Sequence, residues 1–167
     1  MNNPIVVVNS TPVMLLQKIG KLDLLQKLYN KIYIAEAVHQ ELIIDRTDKT
    51  NNNDFILFNE WIEIVKIQND EARKTFVTSL HIGEVETMIL ALERSADLCV
   101  LDDLLARKHA KRLNLNIIGT LGVLITAKKL ILIDAVKPLV DKLISEGMYI
   151  SDELYKSVLS LTDEIPK

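Results

Sequence analysis

A single cysteine, Cys99, stands among 167 residues, so no internal disulfide can form and cysteine usage gives no sign of an oxidising compartment. It lies inside the apolar run DLCVL, which reads as buried core rather than the setting of a nucleophile. Glycine is scarce, at five residues, and is nowhere arranged as a Gly-rich phosphate loop or a GxSxG nucleophile elbow. The missing GxGxxG argues against a Rossmann-like nucleotide binder. The histidines, His39, His81 and His109, share no metal-binding spacing such as HExxH and have no cysteine partners, so they receive no catalytic part. No apolar run approaches the roughly 18 residues needed to span a bilayer. The start, MNNPIVVVN, lacks the basic opening and long apolar stretch of a signal peptide, so a cytoplasmic protein without membrane attachment is expected. Positive charge is not in excess either: the formal net charge is −3 and the sequence pI about 5.6. That balance argues against a protein that coats nucleic acid by bulk charge, but does not exclude an enzyme that holds RNA locally through a metal and a small basic patch.

What the chain does have is aliphatic mass. Its hydrophobic fraction is 49% with only 5% aromatic, drawn from Leu, Ile and Val, the makeup of parallel strands covered by amphipathic helices. The length suits one domain, residues 1–167, with enough chain to bury a core. PIVVV at 4–8 reads as a buried strand that breaks at Asn9-Ser10-Thr11-Pro12 into a helix, with Thr11 as N-cap, Pro12 at the first helical position, and Gly20 closing it. A second short helix is expected over 22–29, a strand over 31–34 and a helix over 35–44. The polar stretch 45–54 reads as a mobile loop. Strands are expected at 61–67, 98–101 and 116–119. Helices are expected over 70–79, over EVETMILALER, which Gly83 precedes, over 104–113, and near 120–130, 134–146 and 151–162. Strands alternating with helices predict a parallel sheet with helices on both faces, whose ligands sit beyond the carboxyl ends of the strands where the strand order reverses.

Three patches ending in acid or amide fall at element ends: VVVNST at 6–11, VHQEL at 38–42, and HIGEVE through VLDD at 81–103. Oxygen side chains delivered from separate strand and helix ends can converge on a hard divalent cation. Phosphodiester cleavage needs an activated water and a counter-charge for an anionic transition state, and carboxylate-bound Mg²⁺ or Mn²⁺ supplies both.

Together these patches resemble the PIN domain. The ending, NIIGTLGVLITAKKLILID followed by EGMYISDELYKSVL, resembles its DUF3368 branch in particular, so the resemblance runs from about residue 4 to 161. It implies a three-layer α/β/α fold with a parallel sheet of about five strands. It also implies a metal-dependent ribonuclease, often the toxin half of a toxin–antitoxin pair, using Mg²⁺ or Mn²⁺. Carried over residue by residue, Asn9 stands at the first acid position, with Ser10 or Thr11 as hydroxyl neighbours. Glu41 in AVHQEL takes the second position, 32 residues on. Glu84 in GEVETMILALE takes the third, and Asp103 in CVLDD the fourth, with Asp102 the contender. The implied metal ligands are Glu84 and Asp103 with Asn9 as a weaker neutral ligand, while Glu41 would orient the attacking water or a second metal. An RNA substrate, a cognate antitoxin and a homodimer are implied in the same way.

Each of these residues has a plainer reading. Glu41 can be a solvated helix glutamate, Glu84 a residue that suits a helix N-terminus through the dipole, and Asp103 or Asn9 a helix cap. Glu86 reads as structural, and ARKHAKR at 106–112 as a solvated charged face in preference to a phosphate-binding one. One position departs from the family pattern: Asn9 stands where most PIN nucleases have aspartate. The rival reading is therefore a degenerate PIN domain that binds RNA or a protein partner without cutting.

Overall fold

The computed structural model describes residues 2–47, 59–76 and 79–165. Five parallel strands, β1 (Val6–Val8), β2 (Ile32–Ala35), β3 (Ile62–Val65), β4 (Leu98–Val100) and β5 (Ile117–Ile118), form one sheet in the order β3-β2-β1-β4-β5. Val6, Val7 and Val8 point alternately to opposite faces of the sheet, yet all three are fully buried. Both faces are therefore covered, the α/β/α layering that the alternation predicts.

The covering helices are α1 (Ser10–Lys18), α2 (Asp23–Tyr29), α3 (Glu36–Thr47), α4 (Ile82–Glu93), α5 (Leu104–Arg112), α6 (Thr120–Lys129), α7 (Lys137–Ser145) and α8 (Asp152–Leu161). Helix α4 crosses β1, β2 and β4 and packs along α3. Its Met88, Leu90 and Ala91 join the core formed with Leu16, Ile34 and Leu101. Cys99 lies in this core, where burial pushes its thiol up to about 12. No helix of the described residues is long and apolar enough to cross a membrane.

Three local expectations are corrected. Helix α1 begins at Ser10, so Asn9 and not Thr11 holds the N-cap position, and Pro12 falls at the third helical residue. That place is tolerated because the first turn has no intrahelical acceptor for an N–H. Over 70–79 the described chain forms a 3₁₀ helix, Asp70–Thr75, with Asn69 capping it through a bond from the Ala72 N–H. Residues 45–47 of the loop expected at 45–54 belong to α3, which continues to Thr47; residues 48–54 lie outside the described ones. Gly20 closes α1 as expected, at φ +70°.

The topology places the site. Strand β1 has β2 and β3 on one side and β4 and β5 on the other, so the strand order reverses between β1 and β4. Val8 pairs with Val100, and the Asn9 N–H donates to the Val100 carbonyl at 3.1 Å. The residues just past these two strands, Asn9 and Asp102-Asp103, flank the crevice where ligands of open α/β sheets bind.

Candidate active site

Four elements carry the candidate oxygen side chains. Asn9 comes from the end of β1, Glu41 from α3, Glu84 from the first turn of α4, and Asp103 from the turn into α5. Asn9 is 2% exposed and makes no cap bond with its side chain. The plain capping reading therefore gives no account of its amide. Its neighbour is Thr87, whose Oγ1 lies 3.4 Å from Asn9 Oδ1.

Glu41 is held from two sides. The Ser10 hydroxyl donates to one carboxylate oxygen at 2.5 Å and the Gly83 N–H to the other at 2.9 Å. The structure thus chooses between the two hydroxyl neighbours: Ser10 is buried and engaged, and Thr11 is exposed. A freely solvated helix glutamate would have neither bond.

Glu84 is 8% exposed and accepts the His81 N–H at 3.0 Å, closing the first turn of α4. Its carboxyl is held above the ordinary value by burial first. The His81 N–H opposes that rise, while the negative charges of Asp103 and Glu41 reinforce it. Carboxylates from three separate elements therefore feel one another at this point of the fold.

Asp103 caps α5, accepting the Ala106 N–H at 2.8 Å through Oδ1. Its other oxygen has no hydrogen-bond partner among the described residues. The structure separates it from its neighbour. Asp102 is bound through both oxygens, to the Thr120 N–H at 2.8 Å and the Thr120 hydroxyl at 2.7 Å. Burial raises the Asp102 carboxyl, against the Thr120 bonds and the charge of Arg107. Asp102 thus ties the β4 end to the start of α6 with one hydrogen bond at each oxygen, whereas Asp103 has one oxygen without such a bond among the described residues. Glu86 is 3% exposed, takes the Ala37 N–H at 3.1 Å and pairs with Arg73, the structural part expected of it. In the basic helix, Arg107 donates to the Leu101 carbonyl at 2.9 Å, while Lys108, Lys111 and Arg112 stay at the surface.

These donors suit a hard divalent ion of one particular kind. All are oxygens, with two carboxylates, Glu84 and Asp103, and one amide, Asn9. Among the described residues no three His, Cys, Asp or Glu side chains come together as an ion-holding group. Among the described residues the acids thus do not make an all-protein cage of the Ca²⁺ type. Mg²⁺ keeps several waters and uses one or two carboxylates, with substrate phosphate completing its shell, and the residues present fit that pattern.

Sequence reading passed over two participants. Gly83 was noted only as preceding a helix, whereas it lies in α4 and gives its N–H to Glu41. Thr87 was not singled out at all. Its signal was available, since a residue three positions after Glu84 shares that face of the helix.

A parallel sheet whose strand order reverses between β1 and β4, covered by helices on both faces, defines a three-layer α/β domain. The family described as PIN domain, DUF3368, matches residues 5–164, and the chain belongs to it. PIN domains are generally nucleases and typically use a divalent metal. Among solved structures, the chain is similar to a PilT N-terminus domain protein from the hyperthermophilic archaeon Sulfolobus solfataricus P2. The two share 19% identity and a TM-score of 0.52, over 74% of this chain and 92% of that one, a likeness of fold. No curated protein matches the chain.

Proposed function

We propose that the chain is a Mg²⁺- or Mn²⁺-dependent endoribonuclease that cleaves RNA phosphodiester bonds, as the toxin component of a type II toxin–antitoxin pair in the cytoplasm. The observation that carries this reading is one of geometry: Asn9 and Asp103 follow the paired ends of β1 and β4, Glu84 opens α4, and Glu41 reaches from α3 to the Gly83 N–H beside Glu84. Crowded carboxylates of that kind are stabilised by a cation.

In this reading Glu84 and the free oxygen of Asp103 would hold the ion and Asn9 would add a neutral oxygen, and a divalent cation there would supply Lewis-acid chemistry and an activated water. Glu41, fixed by Ser10 and Gly83, aligns the attacking water and accepts its proton. A cognate antitoxin and a second copy of the chain are partners by family resemblance.

The test is RNA cleavage by the purified protein with Mg²⁺ or Mn²⁺ against an EDTA control, with Glu84→Gln alongside. Metal-dependent cleavage lost in the variant supports the nuclease, and none under any condition rejects it. The second reading, a degenerate PIN domain that binds without cutting, is favoured by one observation, the amide of Asn9 where hard cations prefer carboxylate. RNA binding without cleavage in the same assay is its signature.

A further inference from the structure

Asn9 and Thr87 meet in the floor of the crevice, Asn9 at 2% exposure and Thr87 fully buried. A threonine hydroxyl has one proton to donate and lone pairs with which to accept. Here the proton goes to the Gly83 carbonyl, one turn back in α4, at 2.6 Å. The contact with Asn9 Oδ1, at 3.4 Å, is much longer. With the proton committed to Gly83, an Asn9 oxygen turned toward Thr87 sets lone pair against lone pair. A nitrogen in that place donates into the open lone pair instead. A half-turn about the Asn9 Cβ–Cγ bond exchanges the two atoms without changing the shape of the side chain, so hydrogen-bond partners decide which faces where.

We propose that Thr87 is a positioning residue: it accepts a hydrogen bond from Asn9 Nδ2 and so presents Asn9 Oδ1 to the crevice shared by Glu84, Asp103 and Glu41. The nearby carboxylates attract the NH₂ group the other way, but no hydrogen bond joins Asn9 to Glu84 or Asp103 among the described residues. Nor does α1 compete, because the Asn9 side chain makes no cap bond. An aspartate at position 9 has no proton to offer Thr87 and would compete with Gly83 for the single hydroxyl proton. Asparagine is the residue that Thr87 suits, which makes Asn9 a fitted neutral oxygen ligand and not a vestige. The ligand role rests on the metal reading of the site; the orientation of the amide does not.

The test begins with the nitrogen-15-labelled full chain without metal, the Asn9 side-chain NH₂ signals being assigned by their loss in Asn9→Asp. The expected result is nuclear Overhauser contact between that NH₂ and the Thr87 methyl. Its hydrogen exchange should quicken by about five- to tenfold in Thr87→Val, the loss of one net hydrogen bond, and return in Thr87→Ser. Contacts to Glu84 or Asp103 in place of Thr87, or protection unchanged in Thr87→Val, overturn the proposal. Should Thr87→Val not fold, the contact pattern of the unsubstituted protein decides alone.

Calorimetric titration with Mg²⁺ supplies the second arm. Thr87→Val weakens binding several-fold in the Asn9 protein and by much less in the Asn9→Asp background, where either carboxylate oxygen can face the ion. Equal weakening in both backgrounds marks a merely structural threonine and overturns the proposal. If the amide contacts hold while no variant binds Mg²⁺, the orientation stands and the metal reading of the site fails.

Discussion

The Glu41 carboxylate lies against the backbone of Gly83, accepting its N–H at 2.9 Å, with so little clearance that a Cβ on Gly83 would sit 2.3 Å from Oε1. Gly83 has an ordinary helical backbone, so its value is close approach and not conformational freedom. Through this contact α4, which also carries Glu84, fixes the acid from α3, while Ser10 of α1 fixes it from the other side.

Gly83→Ala should therefore separate fold from function. Alanine favours a helix by about 1 kcal/mol over glycine, while losing a hydrogen bond to a charged group costs roughly 1.5–3 kcal/mol. The net effect is a loss of about 1 kcal/mol, because the displaced group is the free end of a flexible side chain. Cleavage should fall about a hundredfold, the scale of a misplaced catalytic group. Thermal melts and single-turnover cleavage check the pair of expectations. Normal activity in the variant would remove Glu41 from the mechanism.

Glu84→Gln and Asp103→Asn should abolish metal-dependent cleavage and keep the fold, since asparagine caps a helix as well as aspartate does. The pH dependence of stability has a definite sign. Glu84 has a raised carboxyl, from burial first and then from Asp103 and Glu41 against the His81 N–H. A carboxyl raised in the folded state binds its proton more tightly folded than unfolded. Its cost is present above the folded pKa and is relieved as pH falls through that pKa toward the unfolded value. Glu84→Gln removes this cost, so without metal the variant should melt at or above the unsubstituted protein at neutral pH. The difference should shrink in mild acid. A variant that is less stable at neutral pH by the same amount as in acid would show that the His81 bond outweighs the burial of charge.

Much of this was legible in the residues. The run of three valines in β1 and the sequence LCV in β4 are apolar at every position, as strands covered on both faces must be, and acids following such strands point to a crevice once the order reverses. The distinction between Asp102 and Asp103 was not legible, because it depends on Thr120, 18 residues beyond Asp102, reaching back across β5. The start of α1 was misplaced because Thr11-Pro12 is a strong local signal for a helix start. The packing of Ser10 against Glu41, a contact 31 residues apart, overrides it. Local pattern records what one element prefers; tertiary partners decide which oxygen is left for chemistry.

Glu164 offers a test far from the crevice. Past the end of α8 its carboxylate accepts the N–H groups of Val136, at 3.0 and 2.9 Å, and of Lys137, at 3.0 Å, with Lys128 at 3.8 Å. Burial works to raise its carboxyl, but those N–H groups, the Thr162 side chain and the Lys128 charge together hold it below the ordinary 4.5. A depressed carboxyl contributes stability above the unfolded pKa and loses it as pH falls through the folded one. Glu164→Gln should lower stability by roughly 1–2 kcal/mol at neutral pH. The gap to the unsubstituted protein should close as pH falls below about 4.5. Melts at neutral pH and in acid measure both, and a gap independent of pH would assign the effect to packing alone.

Asn9→Asp turns on the one departure from the family pattern. Without metal it sets a further negative charge beside Glu84, Asp103 and Glu41, in a position that is 2% exposed. Like charges in a partly buried site repel by about 1–4 kcal/mol, so the variant should melt below the unsubstituted protein in EDTA. With Mg²⁺ the same charge becomes attraction, because hard cations prefer carboxylate to amide. Affinity should then rise by a comparable amount, and the order of the two melting temperatures should invert at saturating metal. A competent nuclease gains cleavage from the tighter ion, whereas a binding module shows the inversion with no cleavage, because nothing in it need hold a water in line. Melts with and without Mg²⁺, run beside an RNA cleavage assay, distinguish the two. If the substitution alters neither the melts nor the affinity, position 9 does not face the acids, and the assignment of the first patch to the site is wrong.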